Sequence, residues 1–529
     1  MLYSAKDRSY EESVNALLSL QSNQSVIVTW TKERRDNKEE CTKMLMEEMR
    51  DYCKTLDIDL NRESIIHVAG TKGKGSTCAI TESIIREQGF STGLFTSPHL
   101  ISVRERIRIN GEMISKEMFS KYFWQCWDLL VKDFQTQLPN YFRYLTLMAL
   151  KIFQDENIQC TILEVGIGGR MDSTNIFPKP MVTGISALGY DHQNLLGNTL
   201  AEIALEKAGI MKAGIPVFTV ASQLPEAMNV LVNHSNQVKS PLAIVPSIDQ
   251  YTIGGNGKIE SIGLKGEHQL ENASLAIALA NCWFKKQNFK DSNEIFIATD
   301  NHSRYRYETN NYNVSQFTPL LKSIELGLKN CEWAGRAQHF TNPTHFPNMD
   351  FYLDGAHTVE SSIVMLNWWK SIVKNYNNNN DTVYILLFNS TGGRNPSSFL
   401  KPIIQSINDK EIPIFDKAII PNIIIEKPID KKYYIKELTQ ATPSTTTPDN
   451  AASTTITESS TWEDFVVECY DKLSNKTHQC IPADSIESSI ELAKELSENG
   501  TKNVKVLVTG SLYLVGGVLK VLLQEKSFN

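Results

Sequence analysis

The sequence predicts an α/β fold whose main element is a largely parallel sheet covered by helices on both faces. From Ile65 onward, apolar runs of strand-like length alternate with amphipathic helical stretches, a pattern typical of parallel sheets. A second alternating block starts near Phe340. The chain of 529 residues has room for two or three domains, at ~150 residues per domain.

The elements of the first block follow from hydrophobic periodicity. Residues 10–60 have helical spacing and many charges, which predicts two leading helices. The predicted strands are 65–69, 93–96, 161–165, 181–186, 216–220 and 242–245. The predicted helices lie near 76–88, 116–132, 142–155, 200–211 and 269–283.

The second block has predicted strands at 350–353, 383–388, 417–421 and 504–508, a helix at 359–373 and a terminal helix from Leu512. The polar stretch 288–316 is interpreted as an insertion or loop that leads towards a linker. Segments 375–381 and 439–461 are too polar to order themselves by burying apolar surface. We therefore expect domains at 1–335 and 336–529.

Composition excludes several classes of function. The chain is 41% hydrophobic with a net charge of −7, so bulk attraction to nucleic acid is not indicated. Nine cysteines occur without a C-x-x-C pair, which favours free thiols in a reducing compartment. The N-terminus lacks an apolar signal core, and the apolar stretch 505–520 is shorter than the ~20 residues of a membrane span. We expect a cytoplasmic monomer; a mitochondrial leader from an alternative start stays open.

The most informative segment is a glycine-rich turn after the first predicted strand. Residues 70–77 read GTKGKGST, and helical spacing follows them. Backbone N–H groups at a helix N-terminus attract phosphate, and glycine lets the backbone approach it closely. The segment departs from G-x-x-x-x-G-K-[ST], because Gly75 separates Lys74 from Ser76. It predicts a site for a nucleoside triphosphate; a surface turn is the alternative.

Three polar residues lie at or after the ends of predicted strands at one edge of the sheet, and the chemistry of two of them, Glu164 and Ser97, suits Mg²⁺. Glu164 is a carboxylate at the carboxyl end of strand 161–165, where ligands of open α/β sheets bind; a capping or ion-paired glutamate is the alternative. Ser97 offers a hydroxyl, although Ser-Pro also starts ordinary turns. His192 follows strand 181–186 at the same edge, but histidine is an unusual Mg²⁺ ligand and surface histidines are common.

Four further ionisable residues are candidates for the predicted site. Lys207 lies in a helical EKAG segment, where a solvated helix-end lysine is the simplest interpretation. Asp354 and His357 follow strand 350–353 and bring an acid and an imidazole to its carboxyl end. Arg336 lies at the predicted linker, where a guanidinium either clamps phosphate or forms a salt bridge between domains.

Together these segments resemble the folylpolyglutamate synthases, eukaryotic type, of the ATP-dependent Mur ligase superfamily. The similar segments, in the family's order, are HVAGTKGKGST (67–77), TSPHL (96–100), VRERIRING (103–111), YFRYLTLMA (141–149), EVGIGGRMDSTN (164–175), DHQNLLG (191–197), EKAG (206–209), EWAGR (332–336) and DGAHT (354–358). The loop 391–396 departs from the family, because Asn395 stands where Asp is frequent, and we assign it no catalytic role.

The resemblance implies an N-terminal P-loop ATPase domain, a smaller Rossmann-like C-terminal domain, and an active site in the cleft between them. It implies that Lys74, Lys207 and His357 act in catalysis, and that a carbamylated Lys207 holds a second Mg²⁺. It implies Ser97, Glu164 and His192 as the ligands of the first Mg²⁺. The implied ATP contacts are Thr71, Lys72, Gly73, Lys74, Gly75, Ser76, Asn272, Arg336 and Asp354.

The implied activity is an amide ligation that uses ATP, L-glutamate and a reduced folate as substrates. ATP phosphorylates the γ-carboxylate of the folate, because a carboxylate is a poor electrophile at neutral pH, and the amine of glutamate attacks the acyl phosphate. Catalysis then rests on positioning, charge neutralisation and domain closure. The alternatives are a dihydrofolate synthase, an enzyme with both activities, and, from another class, a regulatory protein that binds nucleotide.

Overall fold

The computed structural model describes residues 8–21, 38–135, 137–253, 259, 261–287, 319–320, 322–341, 346–374, 382–390, 395–423, 461–474, 479–497 and 502–523. The predicted polar segments 288–316 and 375–381, and residues 439–460 of the third, lie outside this part of the chain. The chain divides into unit 1, Met1–Gly263 with Glu267–Glu332, and unit 2, Leu264–Gly266 with Trp333–Asn529. The predicted domain limits, 1–335 and 336–529, stay a prediction.

The main sheet of unit 1 contains eight strands within the described residues. They are β1 (Ile65–Ala69), β2 (Thr92–Phe95), β3 (Ile107–Ile109), β4 (Glu112–Met113), β5 (Cys160–Glu164), β6 (Val182–Ile185), β7 (Val217–Thr219) and β8 (Leu242–Ile244). Their order is β4-β3-β2-β5-β1-β6-β7-β8. The six strands predicted for the first block pair in parallel, which confirms the predicted sheet. The antiparallel hairpin β3–β4 at the edge is not predicted from the sequence.

Helices connect these strands. Every residue of β1 and β5 is buried, as expected for parallel strands that are covered on both faces.

Two short strands, β9 (Thr252–Ile253) and β10 (Pro319–Leu320), pair outside the main sheet. The described helices of unit 1 are Tyr10–Ser19, Lys38–Thr55, Lys74–Glu87, Lys116–Phe134, Tyr141–Asp155, Gln193–Leu196, Leu200–Ala208, Pro225–Val238, His268–Lys286 and Lys322–Asn330.

Unit 2 is built on a second, smaller sheet. Its strands are β11 (Gln338–Thr341), β12 (Met349–Leu353), β13 (Thr382–Phe388), β14 (Lys417–Pro421), β15 (Cys480–Ala483) and β16 (Asn503–Thr509), in the order β11-β12-β16-β13-β14-β15. Only the β11–β12 pairing is antiparallel among the described strands of this sheet. Its described helices are Val359–Val373, Pro396–Asn408, Trp462–Leu473, Ile486–Glu495 and Leu512–Leu522. No helix among the residues described in either unit is long and apolar enough to cross a membrane.

The strand order of unit 1 reverses at β1. The chain leaves β1 for β2, comes back to β5 directly beside β1, and then crosses to β6 on the other side of β1. Ligands of open α/β sheets bind beyond the carboxyl ends of the strands at such a reversal, because the connecting loops diverge there and leave a crevice. The loops after β1, β5 and β6 meet this condition.

Candidate active site

The turn between β1 and the helix Lys74–Glu87 has the backbone form of a phosphate-binding loop. Gly73 caps the helix with φ 83° and ψ −5°, a left-handed conformation that glycine adopts without a Cβ penalty. No described side chain caps this helix N-terminus. Because the helix dipole makes such an end positive, and because Lys74 is the first helical residue, the turn suits an anion.

Hydrogen bonds join this turn to the segment that follows β6. The N–H groups of Thr71 and Lys72 both donate to the carbonyl oxygen of Ala187 at 3.0 Å. Ser186 Oγ donates to the carbonyl oxygen of Lys72 at 2.7 Å. Lys72 Nζ lies 3.1 Å from Asp191 Oδ2. The segment after β6 therefore holds the phosphate-binding turn in place.

Asn272, a predicted nucleotide contact, packs directly against the same turn. A Cβ built on Gly73 would lie 2.1 Å from Asn272 Oδ1, so glycine is required at this position for steric as well as conformational reasons. Asn272 is buried, and its Nδ2 donates to Gln269 Oε1 at 2.8 Å. Its contact with the turn is a structural finding, whereas its contact with nucleotide stays a prediction.

Lys207 is buried beside the same turn. It is only 3% exposed, and its Nζ donates to the carbonyl oxygen of Gly70 at 2.8 Å. Burial, followed by the positive charge of Lys74, lowers the pKa of Lys207 to about 7. The simplest interpretation from sequence, a solvated helix-end lysine, is wrong, because the last turn of helix Leu200–Ala208 places this side chain against the backbone that follows β1.

Glu164 and Ser97, two predicted metal ligands, meet at the carboxyl ends of β5 and β2. Glu164 is 4% exposed, and its Oε2 accepts a hydrogen bond from the Ser97 N–H at 2.9 Å. The two strands are parallel neighbours, so the residues that follow them emerge at the same edge. This adjacency cannot be derived from the sequence spacing of 67 residues.

His192, the third predicted metal ligand, begins the short helix Gln193–Leu196 with φ 51°. Its side chain is 40% exposed, and its N–H donates to Asp191 Oδ1 at 3.0 Å. Asp191 also pairs with Lys72. One carboxylate therefore links the His192 segment to the phosphate-binding turn.

The predicted ligand set suits a metal that arrives with a nucleotide. No three His, Cys, Asp or Glu side chains among the described residues form a group that could hold a metal ion. Magnesium usually keeps several waters and takes one or two carboxylates together with substrate phosphate oxygens. The buried carboxylate of Glu164 beside Ser97 fits this chemistry, and His192 fits it least.

Asp172 orders the glycine turn after β5 and is not among the residues predicted from the sequence. It is buried, and its Oδ2 accepts hydrogen bonds from the N–H groups of Gly166 at 3.0 Å and Ile167 at 3.2 Å. Burial raises the pKa of Asp172, and these donors oppose the shift. The available sequence signal is an acid followed by three small polar residues at 172–175, a pattern typical of helix caps.

In unit 2, Asp354 closes the turn after β12. Its Oδ2 accepts a hydrogen bond from the Ala337 N–H and its Oδ1 one from the Ala356 N–H, both at 2.9 Å. It is 9% exposed. The carboxylate therefore has a structural role in unit 2, and its predicted contact with ATP stays a prediction.

His357 lies on the turn that follows β12, and Arg336, which precedes β11, lies against the same turn. A Cβ built on Gly355 would lie 2.7 Å from one terminal nitrogen of Arg336, so the guanidinium lies against this backbone. His357 Nδ1 donates to the carbonyl oxygen of Gly355 at 2.8 Å, which fixes the tautomer with its proton on Nδ1. The structure therefore brings Arg336, Asp354 and His357 together within unit 2.

Comparisons with known proteins connect this geometry to one family. The family described as "Dihydrofolate synthetase, C-terminal domain" matches residues 337–521. A protein of Dictyostelium discoideum named "Putative folylpolyglutamate synthase" is 82% identical over 556 residues, which cover 100% of this chain and 89% of the relative. "Folylpolyglutamate synthase, mitochondrial" of Homo sapiens is 40% identical over 404 residues, which cover 74% of this chain and 65% of the relative.

Solved structures show the same fold. The folylpolyglutamate synthase of Mycobacterium tuberculosis, solved as complexes with ADP and AMPPCP, matches with a TM-score of 0.65 at 20% identity. The match covers 90% of this chain and 95% of that chain. The predicted fold class, a P-loop domain with a mainly parallel sheet and a smaller Rossmann-like α/β domain, is confirmed.

Proposed function

This chain belongs to the folylpolyglutamate synthase family, and on that premise we infer that it is an ATP-dependent ligase that joins L-glutamate to a folate. We propose that the γ-phosphoryl group of ATP is transferred to the γ-carboxylate of a reduced folate. The amine of glutamate then attacks the carbonyl carbon of this acyl phosphate and loses a proton. A C–N bond forms as the C–O bond to phosphate breaks, so that ADP and phosphate are released.

The observation that carries this proposal is the left-handed turn at Gly73, which places Lys74 at the first position of a helix. A phosphoryl group that moves between two oxygens needs positive charge and oriented donors rather than a nucleophilic side chain. The helix N-terminus and the Lys74 ammonium supply both. The buried Lys207, which is bonded to the carbonyl oxygen of Gly70 in the same turn, adds a further positive or modifiable group.

We propose Ser97, Glu164 and His192 as the ligands of Mg²⁺ that enters with ATP. When bound, this ion neutralises charge on the phosphate oxygens. Support comes from the hydrogen bond between the Ser97 N–H and Glu164 Oε2, which holds these two residues together.

We also propose that Lys207 is carbamylated. Because its pKa is lowered to about 7, a large fraction of the amine is neutral at neutral pH, and the neutral amine is the form that attacks CO₂. The nitrogen forms a bond to carbon and releases a proton, which leaves an anionic carbamate. The carbamate oxygens would then offer ligands for a second Mg²⁺. Incorporation of ¹³CO₂ into wild-type protein, and its loss in Lys207→Met, tests the assignment.

Arg336, Asp354 and His357 of unit 2 are proposed contacts of ATP or of the reacting groups. Arg336→Lys keeps the charge but loses the planar pair of donors that suits phosphate, so we expect a raised KM for ATP. Asp354→Asn is a weaker test, because Asp354 accepts two backbone N–H groups within unit 2 and its loss also disturbs the turn. An unchanged KM in Arg336→Lys, and in Arg336→Ala, would remove this residue from the nucleotide site.

Mass spectrometry of the products tests the reaction itself. Tetrahydrofolate and dihydropteroate are supplied separately with Mg-ATP and L-glutamate. Tetrahydrofolate products that are heavier by successive glutamyl residues, with one ADP released per residue, are expected. No glutamyl product from either substrate would refute the proposal.

A second candidate is dihydrofolate synthase activity, alone or in addition. The match of residues 337–521 to a family described as a dihydrofolate synthetase domain favours keeping it. A product from dihydropteroate would establish this activity. A regulatory protein that only binds nucleotide predicts ATP binding without glutamate-dependent ADP release, and the same assay separates it.

We propose a cytoplasmic, monomeric enzyme, although the human relative is named as mitochondrial. Light scattering coupled to size exclusion should give a mass near 59.7 kDa for the monomer. Cell fractionation of the native protein determines the compartment, and enrichment with a mitochondrial matrix marker would contradict a cytoplasmic location.

A further inference from the structure

The segment Asp172–Asn175, which we call the DSTN turn, connects several elements of unit 1 through consecutive side chains. Ser173 Oγ lies 2.8 Å from Thr146 Oγ1 on the helix Tyr141–Asp155. Asn175 Nδ2 donates to the carbonyl oxygen of Gly209 at 3.1 Å, directly after the helix that carries Lys207. The turn therefore ties two helices to the loop that follows β5.

Thr174 is the middle of a hydrogen-bonded relay from β1 to the glycine turn. Its Oγ1 lies 2.8 Å from His67 Nε2 and donates to Asp172 Oδ1 at 2.5 Å. Asp172 accepts further hydrogen bonds from the N–H groups of Thr174, Gly166 and Ile167. Both oxygens of Asp172 accept hydrogen bonds, an arrangement that suits an ionised carboxylate. The single hydroxyl proton of Thr174 therefore goes to Asp172, and His67 must donate its Nε2–H to Thr174.

The relay is enclosed in the protein, so its bonds are not in competition with water. His67 is 2% exposed and Thr174 1%. Burial lowers the pKa of His67 to about 3, so the imidazole is neutral at neutral pH. Hydrogen bonds to an ionised, buried acceptor are among the strongest in proteins.

The relay reaches the backbone next to Glu164. The Val165 N–H donates to the carbonyl oxygen of Val68 at 2.9 Å, and the next two N–H groups, of Gly166 and Ile167, both donate to Asp172. Three consecutive amides after Glu164 are thus held by β1 or by the relay. These amides donate their hydrogen bonds within the protein.

We propose that the relay His67–Thr174–Asp172 positions the Glu164 carboxylate for the magnesium ion that accompanies the nucleotide. None of the three side chains is assigned a contact with metal or nucleotide, and they are positioning residues. This inference rests on the proposed function, because it assumes that Glu164 is a metal ligand. Residues that orient a metal ligand typically change metal affinity by about 10–100-fold when they are removed.

Two matched variants of the DSTN turn isolate the relay. Thr174→Val keeps the shape of the side chain but removes the hydroxyl, which leaves His67 Nε2–H and Asp172 Oδ1 without this partner. Thr174→Ser restores the hydroxyl. Ser173→Ala is the control for general destabilisation, because it removes a buried hydroxyl of the same turn that is bonded to Thr146 and not to the relay.

The readout is the affinity for ADP, measured by calorimetry with and without Mg²⁺. The dissociation constant without Mg²⁺ is divided by the dissociation constant with Mg²⁺, and this ratio reports how strongly the metal supports ADP binding. We expect Thr174→Val to lower this ratio about tenfold, while Thr174→Ser and Ser173→Ala stay within about twofold of wild type. A ratio in Thr174→Val equal to wild type, or one lowered equally in Ser173→Ala, would overturn the proposal.

A second measurement uses the wild-type protein and does not depend on a folded variant. Hydrogen exchange of the unliganded protein should show protection at the Gly166 and Ile167 amides, and free exchange at both would contradict the relay. A wild-type ratio near one would overturn this inference together with the proposed metal site. If the wild-type protein forms no glutamyl product in the mass-spectrometry assay but has a ratio well above one, this result would count against the proposed function alone.

Discussion

The ammonium group of Lys207 donates a hydrogen bond of 2.8 Å to the carbonyl oxygen of Gly70, across 137 residues of sequence. This contact joins the helix Leu200–Ala208 to the first residue of the phosphate-binding turn. It also explains why a lysine at a helix end is buried rather than solvated. A buried ammonium beside Lys74 is unfavourable as a cation, and this has a measurable consequence for stability.

We expect the free energy of unfolding to depend on pH through Lys207. Its pKa is lowered from 10.5 to about 7 in the folded state, chiefly by burial, while the unfolded chain keeps the ordinary value. Between these values the unfolded state binds more protons, so stability rises with pH, at most by about 1.4 kcal/mol per pH unit for one group. The stability that the protein gains at high pH is therefore lost as the pH falls from 10.5 towards 7.

Urea unfolding of wild type and Lys207→Met at pH 7.5 and pH 9, in CO₂-free buffer, measures this effect. The difference in stability between the two proteins should change by more than 1 kcal/mol across this interval, an order-of-magnitude expectation from the proton linkage. Lys212, whose pKa is lowered to about 8, is present in both proteins and cancels. Parallel pH profiles would show that Lys207 is not the group responsible.

Lys74→Ala should abolish ATP-dependent ligation without unfolding the protein. The lysine is the first residue of its helix and is only partly buried, so its loss removes charge from the phosphate site but little packing. We expect kcat to fall by at least about 100-fold, as for other donors that act on a charged transition state. Lys121→Ala, at an exposed position of another helix, is the control. Turnover close to wild type in Lys74→Ala would remove the loop lysine from the mechanism.

Glu164→Gln should weaken the response of activity to Mg²⁺. The amide keeps an oxygen that accepts the Ser97 N–H but has no charge, so metal binding is weakened and local packing is retained. We expect the half-saturating Mg²⁺ concentration to rise at least about tenfold, because Mg²⁺ prefers charged oxygen ligands. Glu112→Gln, on an exposed edge strand, should titrate like wild type. An identical titration in both variants would argue against a ligand role for Glu164.

Gly73→Ala should raise the KM for ATP and destabilise unit 1. Two costs add: alanine in a left-handed conformation is unfavourable by about 1–2 kcal/mol, and its Cβ would lie 2.1 Å from Asn272 Oδ1. Asn272→Ala removes the second cost only. The double variant should therefore recover part of the lost stability, with a coupling energy of about 1–3 kcal/mol. Additive effects in this double-mutant cycle would mean that the loop moves away from Asn272 instead.

Elements with strong local periodicity are predictable from the sequence. The bounds predicted for β1, 65–69, agree with the structure, because a short apolar run that ends at a glycine-rich turn has the length of a strand and not of a helix. The helix Val359–Val373 also agrees. The helix Pro225–Val238 is not predicted, although its buried residues Ala227, Met228, Leu231 and Val232 recur at helical spacing. The hairpin β3–β4 has strands of only three and two residues, too short for a periodic signal.

The candidate site is only partly accessible to sequence reasoning. Glycine at position 73 can be predicted, because its conformation is a local property of the turn. The burial of Lys207 and the relay through Thr174 cannot, because each depends on segments that are more than 100 residues apart. A buried polar network is formed by contacts that tertiary packing creates, and no local pattern encodes which partner completes it.

The sequence by itself determined which residues can bind phosphate and metal, since glycine, lysine, serine and carboxylate chemistry belongs to the residues and their strand–turn–helix spacing. The tertiary structure decided which of them meet. The order β2-β5-β1-β6 places Ser97 beside Glu164 and the segment after β6 against the phosphate-binding turn. The reason is that strand order is set by long-range packing, whereas periodicity reports only on neighbours along the chain.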